Sequence, residues 1–115
     1  MEKTWGSEDW LVNTDGYCSK ILTINQYCGG SYHAHKSKDE TFLCLSGRAW
    51  LLLEAGDNVG KMVNLSVGSS VRILPGVAHL IVGISENPCV LLETSTHHSD
   101  EDVVRYWRID GSANG

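Results

Sequence analysis

Apolar residues along this chain fall in runs of four to six, most of them alternating with polar positions, which is the period of a half-buried strand. Segments 20–24, 31–35, 41–45, 49–54, 62–65, 71–74, 79–84 and 89–93 carry this pattern and are rich in Val, Ile, Leu and aromatic residues. Turn-forming clusters separate them: Cys28-Gly29-Gly30, Ser46-Gly47-Arg48, Gly56-Asp57-Asn58, Val67-Gly68-Ser69, Pro75-Gly76 and Glu86-Asn87-Pro88. Eight to ten strands at such spacing predict an all-β sandwich or closed barrel. No window keeps apolar residues at helical spacing over a dozen positions, so little or no helix is expected; only 100–107 has room for a turn or two. The polar tail at 111–115 is expected to fray.

At 115 residues with 42% hydrophobic content, the chain is expected to form a single domain spanning 1–115, its core at about 20–93. A net charge of −5 supplies no field that would draw it to phosphate backbones or anionic lipid, so neither nucleic acid nor membrane is an expected partner. No apolar stretch approaches the roughly 20 residues of a membrane span. The first residues, Met-Glu-Lys-Thr-Trp-Gly, lack the basic and apolar segments of a signal peptide, which makes a cytoplasmic location the default. Cys18, Cys28, Cys44 and Cys89 form no C-x-x-C pair and read as reduced thiols.

One alternation carries chemistry. In Ser31-Tyr32-His33-Ala34-His35 the two imidazoles are two positions apart, so on a strand both project to one side, about 7 Å apart. Glu40 follows across a turn, and an antiparallel return strand would bring it to the same interior space.

The spacing His33-x-His35-x4-Glu40-x6-Gly47 resembles the first sequence motif of the cupins, and Gly68 followed by Leu74-Pro75-Gly76-Val77-Ala78-His79 resembles the second. Leu74 stands where that family commonly has proline, and Gly83 where it commonly has asparagine. The resemblance implies a double-stranded β-helix, or jelly roll, with one divalent metal held by His33, His35, Glu40 and His79. Three imidazoles and a carboxylate suit Mn, Fe or Zn foremost, with Ni or Co also accommodated, and a six-coordinate ion would keep two positions open.

The chain ends carry a narrower resemblance. Trp5-Gly6, Trp10-Leu11-Val12-Asn13, Tyr17 to Leu22, Leu92 to His98 and Asp100 to Arg105 are similar to the cupin domains of sugar and sugar-phosphate isomerases, of the type II mannose-6-phosphate isomerase and D-lyxose isomerase kinds. It implies ligand or structural roles at Lys20, Glu93 and Arg105. Lys20 is read as a group reaching substrate or as a solvated strand lysine; Glu93 as a cavity carboxylate able to move a proton or as a partner of Arg105. His97 and His98 sit in a polar loop, and His97 joins Glu93 and Lys20 as a candidate catalytic group. Tyr32, Phe42, Cys44 and Trp50 are read as packing residues.

The expected function is metal-dependent isomerisation or epimerisation of a small sugar or sugar phosphate through an enediol. The alternatives are a non-catalytic cupin that binds a saccharide or small acid, and an iron-dependent cupin dioxygenase. A phosphate would be met by Lys20, Arg105 or Arg72. An exposed sheet edge, with Trp5 and Trp10 nearby, predicts a homodimer.

Overall fold

The computed structural model describes residues 1–54 and 60–108; the turn expected at 56–58 and the tail at 111–115 lie outside the described residues. Eleven strands are present among them: β1 Glu2–Lys3, β2 Gly6–Asn13, β3 Cys18–Ile24, β4 Ser31–His35, β5 Glu40–Ser46, β6 Ala49–Leu53, β7 Lys61–Leu65, β8 Ser70–Ile73, β9 His79–Gly83, β10 Cys89–Ser95 and β11 Val103–Arg108. They form two antiparallel sheets, one ordered β1-β2-β3-β10-β5-β8 and the other β11-β4-β9-β6-β7. The fold is all-β, as the alternation predicts, and it is the jelly roll that the cupin resemblance implies. No helix among the described residues is long and apolar enough to cross a membrane.

Every strand expected from alternation is present to within two residues at each end, while β1, β2 and β11 are additions. The segment given room for helical turns holds a 3-10 turn at Asp100–Asp102, capped by the Ser99 hydroxyl, and then becomes a strand. The reason is in its residues: Val103, Val104, Tyr106 and Trp107 favour extended backbone, and the open edge of β4 supplies hydrogen-bond partners.

Inward-facing residues of the two sheets meet in a core of Ile24, Phe42, Cys44, Ala49, Leu51, Leu65, Ile73, Cys89 and Leu91. Phe42 and Cys44 pack there as expected, and Tyr32 stacks on Trp107 with ring centroids 5.2 Å apart. Trp50 does not join the core: it alternates with buried Ala49 and Leu51, and its side chain points out, 46% exposed.

Register turns this core into a gradient. Across the first sheet, Leu22, Leu91 and Cys44 stand side by side on the inner face, then Lys20, Glu93 and Phe42, then Cys18, Ser95 and Glu40. On the second sheet the apolar row of Leu51, Ile81 and Val63 gives way to His33 opposite His79. Inner faces that are apolar at one end therefore become polar at the other, where the two sheets enclose a cavity.

The β5–β6 turn depends on Gly47, whose φ is +70° and whose hypothetical Cβ would stand 2.6 Å from the Pro88 carbonyl oxygen. Gly68 has a φ of +89° but nothing within 4 Å of that position. Gly68→Ala is expected to cost about 1–2 kcal/mol, the strain of left-handed backbone alone. Gly47→Ala is expected to cost clearly more, because the Pro88 backbone must also move; urea denaturation of the two variants checks the order.

Candidate metal centre

β4 presents His33 and His35 inward, and β9 sets His79 directly opposite His33. Their ring centroids lie 4.5 Å apart for His33 and His79 and 5.0 Å apart for His33 and His35. One ligand nitrogen from each of the three falls within 4.8 Å of the others, an arrangement positioned for a metal ion. Glu40, on the facing sheet, completes the cluster: its Oε2 lies 3.6 Å from His35 Nε2 and 3.5 Å from His79 Nε2.

Hydrogen bonds set the ring orientations. His33 Nδ1 lies 2.8 Å from the Ser31 carbonyl oxygen and His79 Nδ1 3.0 Å from that of Val77. A carbonyl accepts only from N–H, so both rings carry their proton on Nδ1 and turn the Nε2 lone pair toward the cluster. Asp102 lies behind His35, 3.8 Å from its Nδ1, while its carboxylate also accepts from the backbone amides of Ser37 and Lys38. Asp102 thereby fixes the loop that leads into β5 and Glu40.

Burial lowers the His33 and His79 pKa values to about 4, and burial with the nearby Lys38 charge lowers that of His35 to about 2. All three are neutral lone-pair donors at pH 7. Glu40 moves the opposite way: burial, reinforced by the charge of Glu93, raises it to about 8. Its Oε2 is buried without a hydrogen-bond partner. Three neutral imidazole lone pairs beside a carboxyl group that only a nearby cation would keep ionised make a donor set that fits the metal that the sequence resemblance implies.

The cavity has a volume of about 170 Å³, and its other wall is as polar as the triad. Lys20 and Glu93 both line it, as expected for candidate site residues, and are only 3% and 4% exposed. Glu93 is not paired with Arg105; its Oε2 lies 2.7 Å from Nζ of Lys38, a buried lysine with no role assigned from sequence. Lys20 Nζ pairs with Glu8 on β2 at 3.1 Å and lies 4.0 Å over the Trp10 ring. Glu8 is held below the usual carboxylate range because, although burial opposes its charge, Lys20 outweighs it.

Of the adjacent histidines, His98 rather than His97 enters the cavity. His97 is exposed, its Nδ1 lying 2.9 Å from the Thr14 carbonyl oxygen, outside the cavity lining. Asn13 pins the His98 backbone on both sides, accepting from its N–H and donating to its carbonyl, and this turns the imidazole inward. There His98 Nδ1 lies 3.2 Å from Lys20 Nζ and 3.0 Å from Lys38 Nζ, while Nε2 faces Asp100 at 3.0 Å. Ammonium groups only donate, so Nδ1 is the acceptor and Nε2 carries the proton. Burial together with the two lysine charges keeps its pKa below the ordinary histidine value.

Arg105 reaches the cavity lining from β11, whereas Arg72 lies on β8, outside it, and holds Asp39 with both ends of its guanidinium. Trp5 lines the cavity, and Trp10 packs on Lys20 and edge-on against His98.

No family model matches the chain. A glucose-6-phosphate isomerase of Pyrococcus furiosus is 29% identical over 76 residues, 66% of this chain, and the chain spans about 40% of that relative's length. Among solved structures, KdgF of Halomonas sp. superposes with a TM-score of 0.71 at 17% identity, covering 82% of this chain and 80% of its own. Oxalate decarboxylase of Bacillus subtilis, a protein with Mn(II) centres, superposes at 0.70 and 22% identity over 79% of this chain and 24% of its own. The fold is the cupin jelly roll.

Two outcomes follow. Purified protein is expected to retain about one equivalent of a first-row divalent metal by elemental analysis, and His35→Ala to lose it while keeping the circular dichroism of the fold. In EDTA, the unfolded chain takes up protons at His33, His35 and His79 below pH about 6.5 that the folded chain refuses, so stability rises with pH up to that point. From there to pH 8 it falls, because folded Glu40 keeps a proton that the unfolded chain has released. Urea midpoints between pH 5 and 8 are expected to peak near 6.5, and saturating metal to remove the decline on the alkaline side.

Proposed function

We propose that the chain is a metal-dependent isomerase or epimerase of a small sugar or sugar phosphate, with His33, His35, Glu40 and His79 holding one divalent metal. The observation that carries this reading is the pairing of the triad with a second set of titratable groups across one small cavity: Glu93, Lys38, Lys20 and His98. A module that only binds sugar needs no group placed to move a proton, and the inward-facing Glu93 and Lys20 supply titratable groups that favour turnover. A divalent metal in the site supplies Lewis acidity toward a carbonyl and its neighbouring hydroxyl.

The chain's own groups divide the remaining work. Glu93 is the carboxylate that takes a proton from the carbon next to the carbonyl and returns it to the adjacent carbon, by way of an enediol. Lys38 orients that carboxylate through the 2.7 Å ion pair and, with Lys20, donates to substrate oxygens. His98, with Nδ1 facing both ammonium groups and Nε2 on Asp100, holds the two lysines at the cavity wall, a position His97 does not reach. Trp5, Leu22, Phe42 and Ile81 line the apolar side and keep water from the enediol. The similarity to a glucose-6-phosphate isomerase over two thirds of this chain supports a sugar as substrate.

Incubation of the metal-loaded protein in D₂O with a panel of four- to six-carbon aldoses, ketoses and their phosphates is the test, read by proton NMR. Deuterium is expected to enter at the carbon next to the carbonyl of at least one sugar. Glu93→Gln is expected to slow that exchange about 10² to 10⁴-fold with metal content unchanged. No exchange across the panel with a fully loaded site overturns the reading.

A further inference from the structure

Lys20 and Lys38 come from different elements, are 3% and 2% exposed, and place both ammonium groups on a single imidazole nitrogen, His98 Nδ1. That nitrogen has one lone pair and cannot satisfy two donors at once. Each ammonium has three N–H groups, and among the described residues only two acceptors face each: Glu8 and His98 for Lys20, Glu93 and His98 for Lys38. Two buried cations thus share one acceptor and keep N–H groups to spare at the cavity wall.

The charge of the cavity as a whole points the same way. Four cationic side chains line it, Lys3, Lys20, Lys38 and Arg105, against the four carboxylates Glu8, Glu40, Glu93 and Asp100. The lining side chains balance, so a divalent metal adds two positive charges, of which Asp102 behind His35 offsets at most one. The His98 ring lies 6.0 Å from that of His35, so the lysine pair and the triad are the two ends of one short space.

We propose that Lys20 and Lys38 form an acid-group subsite, so that the substrate is an anionic sugar derivative carrying a phosphate or a carboxylate one short carbon chain away from the carbons held at the triad. This rests on the reading of the cavity as a sugar site and narrows its substrate class. An oxygen anion there takes the spare N–H of each lysine, relieves the competition for His98 Nδ1, and offsets the charge that the metal brings.

Calorimetric titration with three ligands of one skeleton tests it: glucose 6-phosphate, glucuronate and glucose, each against metal-loaded protein. At least one anionic sugar is expected to bind about tenfold or more tighter than glucose, and which of the two binds tighter assigns phosphate or carboxylate. Removing one lysine alone strands a buried carboxylate, so the variants remove pairs, Lys20→Gln with Glu8→Gln and Lys38→Gln with Glu93→Gln, leaving the net charge unchanged. Loss of the anion preference in either pair variant, with metal content and circular dichroism intact, supports the subsite. Equal affinity for anionic and neutral sugar, no binding of any of the three, or a preference that survives in both pair variants overturns it. Binding is read without turnover, so anion preference without deuterium exchange sinks the isomerase reading alone, and exchange without anion preference sinks the subsite alone.

Discussion

A carboxylate removed from water needs positive charge or several donors close by, and its surroundings must be built to supply them. Glu40 is 2% exposed, faces two imidazole nitrogens at about 3.5 Å, and has no hydrogen-bond donor on Oε2. Much else in the cavity is arranged around that one group. The Nδ1 protons of His33 and His79 are tied to backbone carbonyls, so neither ring donates to Glu40 through Nε2. A cation between the lone pairs and the carboxylate is the arrangement that satisfies every partner.

The same end of the barrel accommodates two further buried ion pairs, Lys20 with Glu8 and Lys38 with Glu93. Buried pairs of this kind add little to stability, since desolvation offsets most of the attraction. A fold selected for stability alone would continue its apolar rows to the barrel mouth. Here the inner face of β10 reads Cys89, Leu91, Glu93 and Ser95, and that of β3, read toward the mouth, Ile24, Leu22, Lys20 and Cys18. The charged members stand beside each other in register, which gives the polarity of the mouth a chemical rather than a packing reason.

How much of this could be read from the sequence depends on the range of the signal. The strands at 20–24 through 89–93 are visible because alternation is local, and His33 and His35 are visible because two residues apart on a strand means one face. β2 is hidden, since Gly6–Asn13 carries Glu8 on its inward face where an alternating strand would bury an apolar side chain, and it pairs only with short β1 on its outer side. Glu8 becomes meaningful only once the pairing of β2 with β3 brings it beside Lys20. Lys38 looks like one more polar residue in a Lys-Ser-Lys-Asp turn; Asp102, 64 positions later, holds its backbone amide and so fixes the loop from which the side chain turns inward. The choice between His97 and His98 rests likewise on Asn13, 85 positions away.

These long-range dependencies divide the site into two parts. The triad and Glu40 sit on β4, β5 and β9, and they are readable as a motif because His33, His35 and Glu40 lie within eight positions of one another on two consecutive strands. The facing wall takes Lys20 and Glu93 from the paired strands β3 and β10 and is completed by β2, the 36–39 loop and the segment after β10. Loops and termini can therefore vary part of that wall without disturbing the apolar rows that hold the sheets together. Fold similarity at 17–22% identity is consistent with that division: it carries the barrel across proteins of different chemistry. In this chain that wall carries two lysines facing one histidine nitrogen, each paired with its own carboxylate, Glu8 or Glu93.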